Sequence, residues 1–449
     1  MLNTYFGLDR KQSSLKIETM AGVTTFLTMA YIIFVNPSIL SLEGVDAGGI
    51  ERMDKQGLVV ATCLAAGIGT VAVGLFANAP IAMAPGMGLN AFFATLVLSG
   101  EMTWQTALGA VFLSGAFFLI LTLVGLRRRL VSAIPPSLIS AITVGIGLFI
   151  TFMGLVNLGV VVADEHTLVT AGPLTGTMLI GLAGLLVMIA FEMLKIAGGL
   201  LAGILAATLL AAGFGQVALP SEFVSTAVEL DAVALQLDVV GALKWGFVGS
   251  VFALMFIDLF DSIGTLVGCS HQAGMVDERG EIVRLDRLLG IDAVATMIGA
   301  LVGTSTTTAY IESAAGIEQG GRTGLASVVT GVLFLLAIPF TPLVGIVPPY
   351  ATAPALIMVG LFMMREVRKI EFDRVEEGFP AFVIVVMIAL SYSISTGLAF
   401  GFLSFAILKV LAGKVRDVRP AMWVIAALAL VFLISDRLPG LVERVGGLF

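Results

Sequence analysis

Apolar runs of roughly 16 to 24 residues recur along almost the whole chain of 449 residues, parted only by short charged or Pro/Gly-rich breaks. Each run is about long enough to cross the hydrocarbon core of a bilayer as a helix, the form in which a segment satisfies its own backbone hydrogen bonds. The pattern therefore specifies an all-α polytopic membrane protein. Composition agrees: 58% of residues are hydrophobic and 12% charged, against about 25% charged in an ordinary soluble domain. No stretch is left for a separate soluble unit. The net charge of −7 is spread over the loops, with no basic patch or aromatic–basic interleaving, which argues against nucleic acid as a partner. Cys63 and Cys269 both fall inside apolar runs and read as small packing residues rather than a disulfide. The opening MLNTYFGLDRKQSSLK is too polar for a secretory signal and reads as a cytoplasmic lead-in.

Counting runs between breaks gives spans near 17–40, 57–76, 83–99, 104–125, 134–155, 174–191 and 196–213. A second set lies near 245–268, 287–303, 305–318, 323–340, 347–364, 379–394 and 397–412, with a further apolar run at 420–436 outside the count. Fourteen segments result. Basic residues place the N-terminus inside: Arg10, Lys11, Lys16, Arg127, Arg128, Arg129, Lys195, Arg279, Arg284, Arg287, Arg365, Arg368 and Lys369 all fall on one side. The acidic loop 216–244, with Glu222, Glu229, Asp231 and Asp238, then faces outward. Splitting 379–412 at SISTG also brings Lys414, Arg416 and Arg419 inside.

The two sets of seven resemble each other. Segment five opens IPPSLISAITVGIGLFITFMG and segment twelve VPPYATAPALIMVGLFMM, so the double proline and the GLF element recur at a fixed offset of 213 residues. Because seven is odd, a second copy enters from the opposite side. An inverted repeat of this kind is the architecture of secondary transporters, whose substrate sites lie near the midplane.

Two segments are interrupted at matching places. In NAPIAMAPGMGLNAFFA, Pro80, Pro85, Gly86 and Gly88 cannot all sit in one continuous helix, since proline lacks the amide donor and glycine weakens a helix interior. Its counterpart GTSTTTAYIESAAGIEQGG is again too polar and short for a plain span. Broken backbone at membrane depth is tolerated only where protein buries it or a cavity borders it. In each copy an extended stretch, APIAM or STTTAYI, should precede a half-helix whose first amides carry partial positive charge, with Asn90 or Glu312 in the first turns.

Acids sit where they are expensive. Asp258 and Asp261 are three apart in FIDLFDSIGTLVG, hence neighbours on a helix, and Glu312 lies in interrupted segment ten. A charged acid at mid-membrane costs roughly 2.5–3.5 kcal/mol on the insertion scale, so such residues face an interior and mark a substrate or ion path. Close carboxylates titrate as a coupled set and can load or release a proton as the site changes the side it faces. That is proton-symport chemistry; sodium binding would use the same oxygens. Glu318, beside Arg322, reads as a helix-end pair, and Asp292 as a local contact. Carboxylates that accept, an Asn that donates and accepts, and an aromatic face such as Phe26, Phe92 or Phe93 suit the N–H and C=O edge of a flat heterocycle.

Taken together, GVTTFLTMAYIIFVNP, APGMGLNAFFA, IDLFDSIGTLVG and GTSTTTAYIESAAGIEQGGRTG closely resemble the Azg-like purine permeases of the nucleobase–ascorbate transporter superfamily, over essentially the full chain. The resemblance implies fourteen transmembrane segments in two inverted repeats. It implies a core domain from 1–130 and 245–342, a gate domain from 131–216 and 343–449, and an external loop at 217–244. It also implies import of hypoxanthine, guanine or adenine with protons across the cytoplasmic membrane, with no cofactor or metal, and a homodimer through the gate domains. By the same carry-over Asn90, Asp258 and Glu312 match substrate-site positions and Asp261 a further acid needed for transport. Phe26 is a stacking candidate. Related uracil carriers place a histidine four residues after the segment-eight acid; Ser262 stands there here, which leaves Asp261 as the titratable alternative. An intramembrane aspartyl protease would need its acids on separate helices with a GxGD element, and an anion carrier on the same fold would favour a basic or neutral centre.

Overall fold

A computed structural model describes all residues except 1, 12, 44–47, 101, 125–133, 165, 218–221, 226–229, 245–247, 277–281, 421, 428, 431–432 and 435–449. Arg127, Arg128, Arg129, Arg279 and Glu229, used above for orientation, lie outside the described residues, as does part of the run at 420–436.

Helical structure occupies every one of the long apolar runs. The first is α1 (Leu15–Met29) continued after a short break by α2 (Ile32–Leu40), followed by α3 (Lys55–Ala72). Strand β1 (Met83–Pro85) leads into α4 (Met87–Leu98), then come α5 (Trp104–Leu123) and α6 (Pro136–Asn157). A small exposed hairpin, β2 (Val161–Asp164) and β3 (Leu168–Ala171), precedes α7 (Gly176–Met193) and α8 (Gly199–Gly213). The second half holds α9 (Val248–Gln272), α10 (Leu285–Val302), β4 (Thr307–Ala309) and the short α11 (Ser313–Glu318). It ends with α12 (Gly324–Ala337), α13 (Pro349–Met364), α14 (Val375–Leu390) and α15 (Ile394–Leu411). The chain does break between α14 and α15, where Tyr392 takes a φ of 54°. Among the described residues, 8 helices are long and apolar enough to cross a membrane.

The interruptions form where proline and glycine demand them. Pro85 ends β1, and Gly86 (φ −71°, ψ 128°) is the N-cap of α4 with no side-chain cap, so no side chain takes up the donors at the helix start, which suit an outside acceptor. β1 pairs antiparallel with β4 in the register Met83↔Ala309, Ala84↔Thr308 and Pro85↔Thr307. Gly86 N donates to Thr306 O at 2.9 Å and Tyr310 N to Ala82 O at 3.0 Å, extending the ribbon by one bond at each end.

Helices pack in two sets. α1 to α5 lie with α9 to α12 around the β1–β4 ribbon, while α6 to α8 lie with α13 to α15. Small residues set the closest approaches, as expected where lipid supplies no hydrophobic drive between helices. A Cβ on Gly360 of α13 would stand 2.5 Å from Gly147 O of α6, and one on Gly147 only 3.0 Å from Gly360 O. The two glycines of the repeated GLF element thus meet each other. α3 and α12 cross in the same way at Gly67 and Gly331. The interior is mainly apolar but also holds polar groups, Glu18, Asn36, Asn90, Asp258 and Asp292 being fully buried, while large apolar side chains such as Phe76, Leu123, Leu186, Met193 and Leu209 are exposed.

Candidate functional site

A cavity of about 370 Å³ lies between the two helix sets. Its first wall is built from the broken segments. α4 contributes its opening residues Gly86, Met87 and Gly88, and the stretch from β4 to α11 contributes Ala309, Tyr310, Ile311 and Glu312. α9 adds Asp261, Gly264, Thr265 and Gly268, the i, i+3, i+4, i+7 face of one helix, and Tyr31 closes the side between α1 and α2. The glycines leave room on that face. A Cβ on Gly264 would meet nothing within 4 Å, and one on Gly268 only Ile311 Cδ1 at 3.8 Å.

Two carboxylates define the chemistry of this wall. Glu312 accepts a hydrogen bond from the Tyr31 hydroxyl at 2.8 Å, and its main-chain oxygen accepts from Thr28 Oγ1 at 3.4 Å. Asp261 Oδ2 lies so near the start of α4 that a Cβ on Gly86 would stand 3.7 Å from it. Tyr310 donates to Pro85 O at 2.5 Å and ties the two broken segments together beneath the cavity. The opposite wall comes from α6, with Ile139, Ser140 and Thr143, and from α13, with Val359, Phe362 and Met363. At the mouth sit Glu366 and Lys369, paired at 2.8 Å, so carboxyl groups outnumber basic groups on the lining three to one. Such a site favours ligands that donate N–H and disfavours anions.

Of the residues singled out from the sequence, Glu312 and Asp261 line the cavity. Asn90, Asp258 and Phe26 stand elsewhere. Asp258 is fully buried and accepts from Thr296 Oγ1 at 3.3 Å and, at a long 3.5 Å, from Ser262 Oγ. Ser262 in turn shares a 2.6 Å hydrogen bond with Thr308 of β4, so this acid joins α9, α10 and the ribbon behind the wall. Asn90 is fully buried and accepts through Oδ1 from Ser305 Oγ, linking α4 to the second broken segment. The ring of Phe26 packs edge-to-face on Phe334 of α12, with centroids 5.1 Å apart. Glu318 accepts from Gln272 at 3.1 Å, while Arg322 donates to main-chain oxygens of Ile317 and Gly321.

Sequence reading missed Tyr31, Tyr310, Ser140, Thr143 and Glu18. A signal existed for the first two: the chain has only 5 tyrosines, and these two lie inside apolar segments beside the quoted motifs. Glu18, fully buried on α1, accepts from the main-chain N–H of Arg322 at 3.0 Å and of Thr323 at 3.3 Å, and so holds the turn between α11 and α12. Among the described residues no group of three or more His, Cys, Asp or Glu is placed to hold a metal.

A polytopic helical bundle with two broken segments meeting at an interior, acid-lined cavity has the form of a membrane transporter. Comparison with known proteins agrees. The chain matches the xanthine/uracil type of the Permease family over residues 16–400, and it belongs to that family. It is 43% identical to the adenine permease AdeQ of Escherichia coli over 97% of this chain and 97% of that protein. To the guanine/hypoxanthine permease PbuG of Bacillus subtilis it is 41% identical over 96% of this chain and 99% of the relative. Among solved structures, the transmembrane domain of a cyanobacterium bicarbonate transporter BicA superposes with a TM-score of 0.64 at 16% identity, covering 85% of this chain and 97% of that one, a likeness of fold. The protein is an integral membrane transporter and not an enzyme.

Proposed function

We propose that the chain imports purine nucleobases of the hypoxanthine, guanine or adenine type, driven by protons, by alternating access. The observation that carries this reading is the placement of Asp261 and Glu312 in one cavity bordered by the first residues of α4 and the β4–α11 stretch. Carboxylates there accept from ring N–H groups, helix-start amides donate to ring nitrogens or oxygens, and a proton shared with Asp261 offsets the charge that the acids would otherwise leave in the interior. Glu312, aimed by Tyr31, is the principal substrate acceptor in this proposal and Asp261 the proton carrier. Asn90 and Asp258 then act through Ser305, Ser262 and Thr308, holding the broken segments in place. The relatives named as adenine and guanine/hypoxanthine permeases support the substrate class.

In the same reading the fourteen segments form two inverted repeats, α1 to α5 with α9 to α12 act as the core that carries the site, and the other helix set acts as the gate. The mouth carries Lys369, and positive-inside orientation puts that end in the cytoplasm, so the arrangement described is open inward and the N-terminus is cytoplasmic. The test is uptake of labelled hypoxanthine, guanine and adenine by vesicles holding the purified protein. Accumulation should require an imposed proton gradient. Accumulation under a sodium gradient alone would assign the acids to sodium, and no purine uptake in a preparation that binds other ligands would remove the substrate assignment.

A further inference from the structure

The two walls of the cavity differ in kind. One carries both carboxylates and main-chain groups; the other, from α6 and α13, is apolar except for two hydroxyls and the Glu366–Lys369 pair at the mouth, whose members bind each other. Those hydroxyls belong to Ser140 and Thr143. They are three apart on α6 and therefore neighbours on its surface. Ser140 is only 6% exposed, yet among the described residues its hydroxyl makes no hydrogen bond. Thr143 Oγ1 donates to Ile139 O at 3.4 Å, well beyond the usual O–H···O distance and easily given up. Two polar atoms thus stand with bonding capacity to spare on a wall otherwise made of Ile139, Val359, Phe362 and Met363.

Resting on the purine reading above, we propose that Ser140 and Thr143 bind the substituent at the six-position of the purine ring. A purine whose five-membered-ring N–H at N9 faces Asp261 and Glu312 turns its far edge to α6, and on hypoxanthine, guanine and adenine that edge carries an oxo or amino group at the six-position. Buried in an apolar wall without a partner, either group would lose its hydration for nothing. A hydroxyl both donates and accepts, so the same pair serves a 6-oxo acceptor and a 6-amino donor without rearrangement of the backbone. The site is accordingly built to require a polar group at that position and to tolerate either polarity. The contact also joins the helix set that holds the carboxylates to the set that faces them, so a six-substituted ligand bonds to both at once whereas an unsubstituted ring bonds to one.

Equilibrium competition against labelled hypoxanthine, with purified protein in lipid nanodiscs, tests this using unsubstituted purine, hypoxanthine and adenine as competitors. In the parent chain hypoxanthine and adenine should bind tighter than purine. Ser140→Ala with Thr143→Val should weaken hypoxanthine and adenine by about 5- to 50-fold, the loss of one to two neutral hydrogen bonds, and leave purine within about 2-fold. Thr143→Val alone, nearly isosteric, should weaken the two substituted bases by about 3- to 10-fold and guards against a folding failure of the double variant. An equal fall for all three ligands would show a structural role and overturn the proposal, as would unchanged affinity for the substituted bases. A parent chain that binds none of the three would instead sink the purine reading on which it rests.

Discussion

Tyr31→Phe removes one oxygen atom from a fully buried ring and leaves its packing intact. The lost atom donates at 2.8 Å to Glu312 Oε1, a hydrogen bond to an acid at the cavity wall. Hydrogen bonds to charged groups contribute about 1.5–3 kcal/mol, so if the bond aims the carboxylate at the ligand, Kd should rise by roughly 10- to 150-fold. Phenylalanine fills the same volume, so no cavity cost adds to this. The assay is hypoxanthine binding at fixed pH alongside thermal melting of the apo protein. Binding should suffer more than melting, because the ligand must now order a carboxylate that Tyr31 ordered beforehand. A Kd within 2-fold of the parent would refute the idea that Tyr31 aims Glu312, and equal losses in binding and stability would make Tyr31 a packing residue with an incidental contact.

Glu312→Gln should abolish purine uptake with folded protein retained, whereas Asp261→Asn should weaken accumulation against a gradient more than equilibrium binding; vesicle uptake paired with binding separates the two, and equal loss in the second variant would move Asp261 to the substrate. Lys409 and Glu377 form a 2.7 Å pair with side chains 9% and 13% exposed. Lys409→Met should therefore cost about 3–5 kcal/mol by stranding the carboxylate, and adding Glu377→Gln should recover most of the lost melting temperature. Gly360→Val drives a branched side chain into Gly147 O and should cost at least about 1–3 kcal/mol in a melting assay, an effect that Gly264→Ala, facing open space, should not show. In the β2–β3 turn, the main-chain N–H of Thr167 and His166 hold the Asp164 carboxyl below its usual range. Its charged form is the one the turn favours, so the contribution is present above the ordinary carboxylate pKa and lost as pH falls through the folded value; the protection factors of the Thr167 and His166 amides, taken against the intrinsic base-catalysed rate at each pH, should fall on acidification and stay constant in Asp164→Asn.

The long apolar helices were legible because the bilayer asks a similar length of every crossing helix, and among the described residues 8 helices meet it. So were the two breaks, since Pro85 and Gly86 on one side and Gly303 with its run of threonines on the other leave no continuous helix. Which acid meets the cavity was not. Asp258 and Asp261 are neighbours in sequence terms, but three residues leave about 60° between them around the axis, enough to turn one toward Thr296 of α10 and the other into open space. Asn90 was equally ambiguous: the first turn of a half-helix has a cavity side and a side that meets Ser305. Phe26 could not be distinguished from 28 other phenylalanines, 29 in all, without knowing that Phe334 would cover it. Ser140 and Thr143 look like any small polar residues of a span until the opposite wall is in view.

The ribbon of three residue pairs between β1 and β4 also sets a timetable. Met83 and Ala309 are more than two hundred residues apart, so at about 5–20 residues per second the ribosome delivers β1 roughly 10 to 45 s before its partner. Through that interval the extended backbone ahead of α4 has its pairing groups open, and each costs several kcal/mol wherever water cannot reach it. The first half must therefore be sheltered, by the insertion machinery or by non-native contacts, until translation of the second half is well advanced. A chain stopped before Thr307 would lack half of the ribbon and two of the three cavity acids, Glu312 and Glu366, and should be handled by the cell as an orphaned fragment rather than as a smaller carrier.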